Sequence, residues 1–281
     1  MSIPNLHIIG ESINDSVPST CAFFDAGDID SIKLLAKSQA DGGASYIDVN
    51  VGGRSSDFFV TIISEVQKAT EKPLSIDTPD PELAAAGLLV YDDAAGKPIL
   101  NSISPLRLEM FELYKSKPFR PILLISESVH GSCRTAEETY EAARLMLLEA
   151  HRFGIPNDDL IFDPGIAPIG SDSEGNLVRL MGALKMMSED KDFSGFHASV
   201  GLSNFTVMLP PKRKVNGMPV KSPLESAFLT RAMPLGLDYV VGSVKRNYNI
   251  LSEGDEALAC FDECLKLSGF DSIIRVRKFY K

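Results

Sequence analysis

Short apolar runs alternate along this chain with longer amphipathic stretches, and the regularity predicts a repeated strand–helix unit. Residues 6–10 read as a first strand and 29–40 as its helix, because Ile32, Leu35, Ala36 and Ala40 recur near helical spacing. A strand at 45–50 precedes a helix around 58–69, and one at 73–77 precedes a helix at 81–90, where Pro81 suits the first turn. Residues 99–103 form the fourth strand, with a helix at 105–114. Residues 121–126 form the fifth, followed by the longest helix, 137–153, which stops at Gly154 and Pro156. The sixth strand is 160–163, with a helix through 176–187, and the seventh is near 196–202. A long irregular segment follows at 205–222, with Pro210, Pro211, Gly217 and Pro219; loops of that length in compact domains are usually functional or mobile. The eighth strand is 237–241 and the closing helix 255–267. Eight such units in one chain predict an α/β fold of one domain, residues 1–281, closed as a (β/α)8 TIM barrel.

Five of these strands end on an acid or amide: Asp48 and Asn50, Asp77, Asn101, Asp163 and Asn204. A single Asp or Asn there is as often a helix cap or an Asx turn as a ligand contact. Five on parallel strands of one barrel share its C-terminal rim, where barrel enzymes keep their chemistry. Together they offer both donors and acceptors, the complement of a polar heterocycle.

Composition narrows the partners. The chain of 281 residues is 44% hydrophobic and 23% charged, ordinary for a globular enzyme. A formal charge of −10 argues against nucleic acid, with Lys212-Arg213-Lys214 the one basic run. No segment approaches the roughly 20 apolar residues of a membrane span, and Met1-Ser2-Ile3-Pro4-Asn5 does not open a secretory signal. Four cysteines in a chain this long do not form a disulfide framework, so a cytoplasmic setting is expected.

Other chemistries lack their signatures. There is no Gly-x-Gly-x-x-Gly or Walker A loop, no His-Glu-x-x-His and no Gly-x-Ser-x-Gly. Cys260 and Cys264 share a helical face without further ligands nearby, so no protein-bound metal is expected. His197, inside a strand, reads as structural, with a role at the rim as the alternative. Lys245 and Arg246, after the last strand, read either as solvated charges or as an anion site.

Read in order, Gly10-Glu11-Ser12-Ile13-Asn14, Ile47-Asp48-Val49-Asn50-Val51-Gly52, Ser75-Ile76-Asp77-Thr78, Leu100-Asn101-Ser102-Ile103-Ser104, Phe162-Asp163-Pro164 and Gly201-Leu202-Ser203-Asn204 resemble the motifs of pterin-binding barrels. Within that fold they are most similar to the methyltetrahydrofolate–corrinoid methyltransferase family. The resemblance implies methyl transfer between the cobalt of a corrinoid and N5 of tetrahydrofolate, in one-carbon metabolism or O-demethylation, by a cytoplasmic homodimer. It implies Asp77, Asn101 and Asp163 as pterin ligands, with Glu11, Asn14, Asp48, Asn50 and Ser203 around them, and Asn204 at N5. No Asp-x-His-x-x-Gly occurs, so the corrinoid is expected on a separate partner protein, with segment 205–222 as its contact or as a lid over folate. The loop after Asn204 is longer than in that family's acetogen member, which leaves open whether Lys212, Arg213 or Lys214 faces the folate. Dihydropteroate synthase shares the pterin pocket and is the alternative, but its closing Ser-x-Arg-His is replaced by Gly242-Ser243-Val244-Lys245-Arg246-Asn247. A folate-binding protein without transfer activity is the third reading.

Overall fold

The computed structural model describes residues 3–281; Met1 and Ser2, the start of the stretch read for a targeting signal, lie outside it. Eight parallel strands close a barrel in chain order: β1 (His7–Asn14), β2 (Tyr46–Asn50), β3 (Leu74–Asp77), β4 (Ile99–Ile103), β5 (Arg120–Leu124), β6 (Ile161–Asp163), β7 (His197–Gly201) and β8 (Leu237–Gly242), which pairs back onto β1. The helices are α1 (Pro18–Ala26), α2 (Ile29–Asp41), α3 (Ser56–Ala69), α4 (Pro81–Val90), α5 (Ala136–Arg152), α6 (Asn176–Glu189), α7 (Leu202–Phe205), α8 (Lys221–Ala232), α9 (Glu256–Cys264) and α10 (Phe270–Tyr280). None is long and apolar enough to cross a membrane.

Strand alternation builds the site. Ile47, Val49, Leu74, Ile76, Leu100 and Phe162 point outward into the main apolar core shared with the helices. Their neighbours point inward, where Ile9, Ile99, Ile122, Ile161 and Tyr239 fill the lower barrel. Because the side-chain period is two, the inward residues one step higher are Glu11, Asn101, Leu124, Asp163 and Val241, all lining a cavity at the C-terminal mouth. An apolar plug therefore lies directly beneath a polar layer.

Below the plug, Arg120 donates to the Tyr239 hydroxyl, and His7 stacks on Tyr239 with ring centroids 4.7 Å apart. His197 belongs to this lower end, its Nδ1 2.5 Å from Asp238 Oδ2, so the structure assigns it the structural reading and not the rim.

The helices differ from the sequence expectations in four places. Helix α1 follows β1 unannounced; Val17 at its start provides no side-chain cap, and Gly27 ends it with φ 64°. Residues 108–115 form a 3-10 helix where an α-helix was expected at 105–114; Leu108, Phe111 and Tyr114, three apart, fit the tighter winding. The closing helix stops at Cys264, and α10 restarts beyond Gly269. Segment 205–222 is bounded by the single turn α7 and by α8, which starts at Lys221.

Strand β1 also runs to Asn14, beyond the expected Gly10. Between Gly10 and Ile13 it carries one residue more than β2. The buried Gln39 of α2 fills that bulge, accepting a hydrogen bond from Ser12 N at 2.8 Å. A Cβ at Gly10 would lie 2.6 Å from Gln39 Oε1, so glycine is what lets α2 support the strand here.

Candidate active site

The cavity measures about 780 Å³, within the range of small-molecule sites. Of the nine residues singled out in the sequence, Glu11, Asn14, Asp48, Asp77, Asn101, Asp163, Ser203 and Asn204 line it. Asn50 does not. Its Nδ2 donates to Asp77 Oδ2 at 3.0 Å while its Oδ1 accepts from Gly52 N at 2.8 Å, so it orients Asp77 from behind. Several rim residues do serve turns: Asn14 Oδ1 accepts from Ser16 N, and Asp163 Oδ1 from Gly165 N at 2.7 Å. Asp77 does not, since Asp80 caps α4 instead.

The carboxylates on β2 and β3 are the most unusual groups. Asp48 is only 1% exposed, and neither of its oxygens has hydrogen-bonding geometry to a protein donor, although Ser75, Asp77 and Asn101 surround it. Burial first, and then the neighbouring Asp77, push its carboxyl well above the ordinary range. Burial also raises Asp77, with the Asn50 amide working against the shift. The pair is therefore set to hold a proton and to release it when a donor arrives from the cavity.

Across the mouth, burial pushes Asp163 up to about 6, opposed by hydrogen bonds from Gly165 N and from Ser199 Oγ, the latter long at 3.5 Å. Burial likewise raises Glu11, although Ser203 Oγ donates to its Oε2 at 2.8 Å. The sequence reasoning missed Ser199; its signal is its place two residues before Gly201 on the inward face of β7. It also missed Ser16 and Ser19, which reach the cavity because α1 exists.

Asn204 sits on α7 at the end of β7, and among the described residues its side-chain amide makes no hydrogen bond to the protein. The amide folds back over Gly201, where an ideal Cβ would lie 2.8 Å from Nδ2. A Gly201→Ala variant is therefore expected to displace this amide and to weaken whatever Asn204 does. The check is a crystal structure of the variant; an unmoved Asn204 would count against the account.

Cations are scarce at this mouth. Lys245 lines the cavity and forms no ion pair among the described residues. Arg54 is bound to Asp15 at 2.9 Å and Asp25 at 2.7 Å, between the rings of Phe24 and Phe58. Arg246 faces the buried Glu225. None of Lys212, Arg213 and Lys214 lines the cavity, and Arg213 pairs with Glu256 at 2.5 Å and stacks on Phe279.

Comparison with known proteins agrees with this arrangement. The pterin binding enzyme family matches residues 14–241. A methylcorrinoid:tetrahydrofolate methyltransferase of Eubacterium limosum is 26% identical over 243 residues, covering 83% of each chain. The dihydropteroate synthase of Xanthomonas albilineans, solved in complex with 7,8-dihydropteroate, superposes with a TM-score of 0.56 at 15% identity, covering 95% of this chain and 96% of that one. At that identity the likeness establishes the barrel fold.

Proposed function

Since the chain belongs to the pterin-binding enzyme family, we propose that it moves a methyl group between the cobalt of a corrinoid on a partner protein and N5 of tetrahydrofolate. The observation that carries this reading is a single cavity in which four carboxyl groups and three amides converge while its lining contains one lysine. The E. limosum relative supports it by its name. Buried carboxyls whose protein donors are few, and absent for Asp48, suit the amino and N–H groups of a pterin edge, giving charge-assisted hydrogen bonds once ionised. Asp77, Asn101 and Asp163 hold that edge, with Asp48 sharing a proton with Asp77 and Asn50 fixing its orientation.

The corrinoid's cobalt supplies or takes the methyl group. In either direction N5 carries positive charge during transfer: it gains charge when its lone pair attacks the methyl, and loses charge when the N5–methyl bond breaks and its electrons return to nitrogen. Asn204 answers that change. Its amide does not titrate, so it works as a fixed dipole whose oxygen accepts from a cationic N5–H. Since that amide cannot titrate, the proton that N5 gains or loses passes to water at the open mouth of the cavity. The partner docks over the open mouth, and assembly as a homodimer, a cytoplasmic setting and a place in O-demethylation belong to the same proposal.

Dihydropteroate synthesis fits less well, because a pyrophosphate leaving group needs several cations, whereas among the described residues the cavity lining holds Lys245 and no arginine, and Arg54 and Arg246 face carboxylates. The deciding experiment incubates the protein with methylcobalamin or a methylated corrinoid protein and tetrahydrofolate while following the cobalt spectrum. Demethylation of the corrinoid with formation of 5-methyltetrahydrofolate is expected. Formation of dihydropteroate from a pterin pyrophosphate and p-aminobenzoate, without methyl transfer, would sink the proposal.

A further inference from the structure

Asn204 occupies an insecure piece of backbone. Helix α7 is one turn of four residues with no side-chain cap, and an isolated turn of that length does not hold itself. Its apolar side is anchored by Phe205, whose ring lies 5.3 Å from Phe228 and 6.2 Å from Phe261. Its polar side is tied at both ends, by Ser203 to Glu11 and by Thr206 to Glu225.

Glu225 is the unusual member. It projects from α8, outside the cavity, and is completely buried. One oxygen accepts from the Thr206 hydroxyl; the other has no hydrogen-bond donor, and Arg246 Nε lies 3.7 Å away. Arg246 follows Lys245 on the loop after β8. A buried carboxylate with one hydrogen bond and a long ion pair is a poor source of stability, and an apolar residue of that size would serve packing as well. What its contacts do accomplish is to link the turn bearing Asn204 with the loop bearing Lys245.

We infer that Glu225 is a positioning residue for the transfer reaction, acting on Asn204 through Thr206. This rests on the functional reading above. If the turn drifts, the Asn204 amide leaves N5 while the pterin contacts of the other strands persist, so the rate suffers and binding does not.

The test measures single-turnover methyl transfer from methylcobalamin to tetrahydrofolate, tetrahydrofolate affinity, and amide hydrogen exchange across residues 202–206. Thr206→Val is expected to slow transfer about tenfold with affinity held within about twofold, and Thr206→Ser to restore the rate. In an Asn204→Ala background the same Thr206→Val change should cost less than about twofold, because both changes remove one effect. If Thr206→Val leaves the buried Glu225 carboxyl too poorly satisfied for the protein to fold, the pair Thr206→Val/Glu225→Met removes both polar groups together and should show the same loss. Equal losses in both backgrounds, or an unchanged rate, would overturn the inference. Inactivity of the unaltered protein would instead overturn the functional reading. The positioning role is then decided by exchange alone: faster exchange at 202–206 in Thr206→Val supports it, and unchanged exchange refutes it.

Discussion

Replacing Asn204 by alanine is expected to slow methyl transfer by about a hundredfold, the scale on which a single preorganised dipole contributes at a developing charge. Tetrahydrofolate affinity should change by less than about threefold. The asymmetry follows from the site. The Asn204 side-chain amide makes no hydrogen bond to the described protein, faces the cavity and stands on α7 just past the end of β7, apart from the Asp77, Asn101 and Asp163 side chains assigned to the pterin edge. An amide there gains most when N5 becomes cationic and little while N5 is neutral. Single-turnover rates and equilibrium titrations on the same preparations give the comparison. Equal losses in rate and affinity would mean that Asn204 merely helps to bind the ground state.

Asp163→Asn should produce the second large effect, visible without any substrate. Burial holds the Asp163 carboxyl near 6, above its ordinary 3.8. A carboxyl raised on folding favours the folded state at low pH, where it is protonated in both states, and that contribution is lost as pH rises through the folded value. The ligand-free protein should therefore lose stability between pH 4 and pH 7 by about 3 kcal/mol through this group. Asparagine, which does not titrate, should remove that component, leaving the variant more stable than the parent at pH 8. Urea midpoints of both proteins across pH 4 to 8 check this, and parallel curves would refute it. Function carries the cost: tetrahydrofolate binding should weaken about tenfold or more in the variant, since a charge-assisted bond is replaced by a neutral one. In the parent, affinity should fall as pH drops below about 6, and the variant should lose that dependence.

The acid and amide tips illustrate how far the linear pattern reaches. Asp48, Asp77, Asn101 and Asp163 were legible as one group because parallel strands of period two turn residues near their C-terminal ends toward one shared mouth. Asn50 was legible as a tip but not as a support, because its role depends on the register that brings β3 alongside β2. Helix α1 was not legible, since Pro18–Ala26 is a short helix with little amphipathic signal. With it went Ser16 and Ser19 at the mouth. Glu225 had no signal at all: a glutamate near a helix start reads as solvent-facing until the fold buries it.

Local periodicity and the residues that end each strand were enough to specify the barrel, its strand order and the identity of the polar layer. Which side chains are free was settled by packing in the closed barrel. It left Asp48 without a donor, bound Arg54 and Arg246 to carboxylates, moved His197 to the opposite end and left the Asn204 amide uncommitted. Protonation and hydrogen-bond commitment depend on neighbours distant in the chain, and so appear only once the barrel has closed.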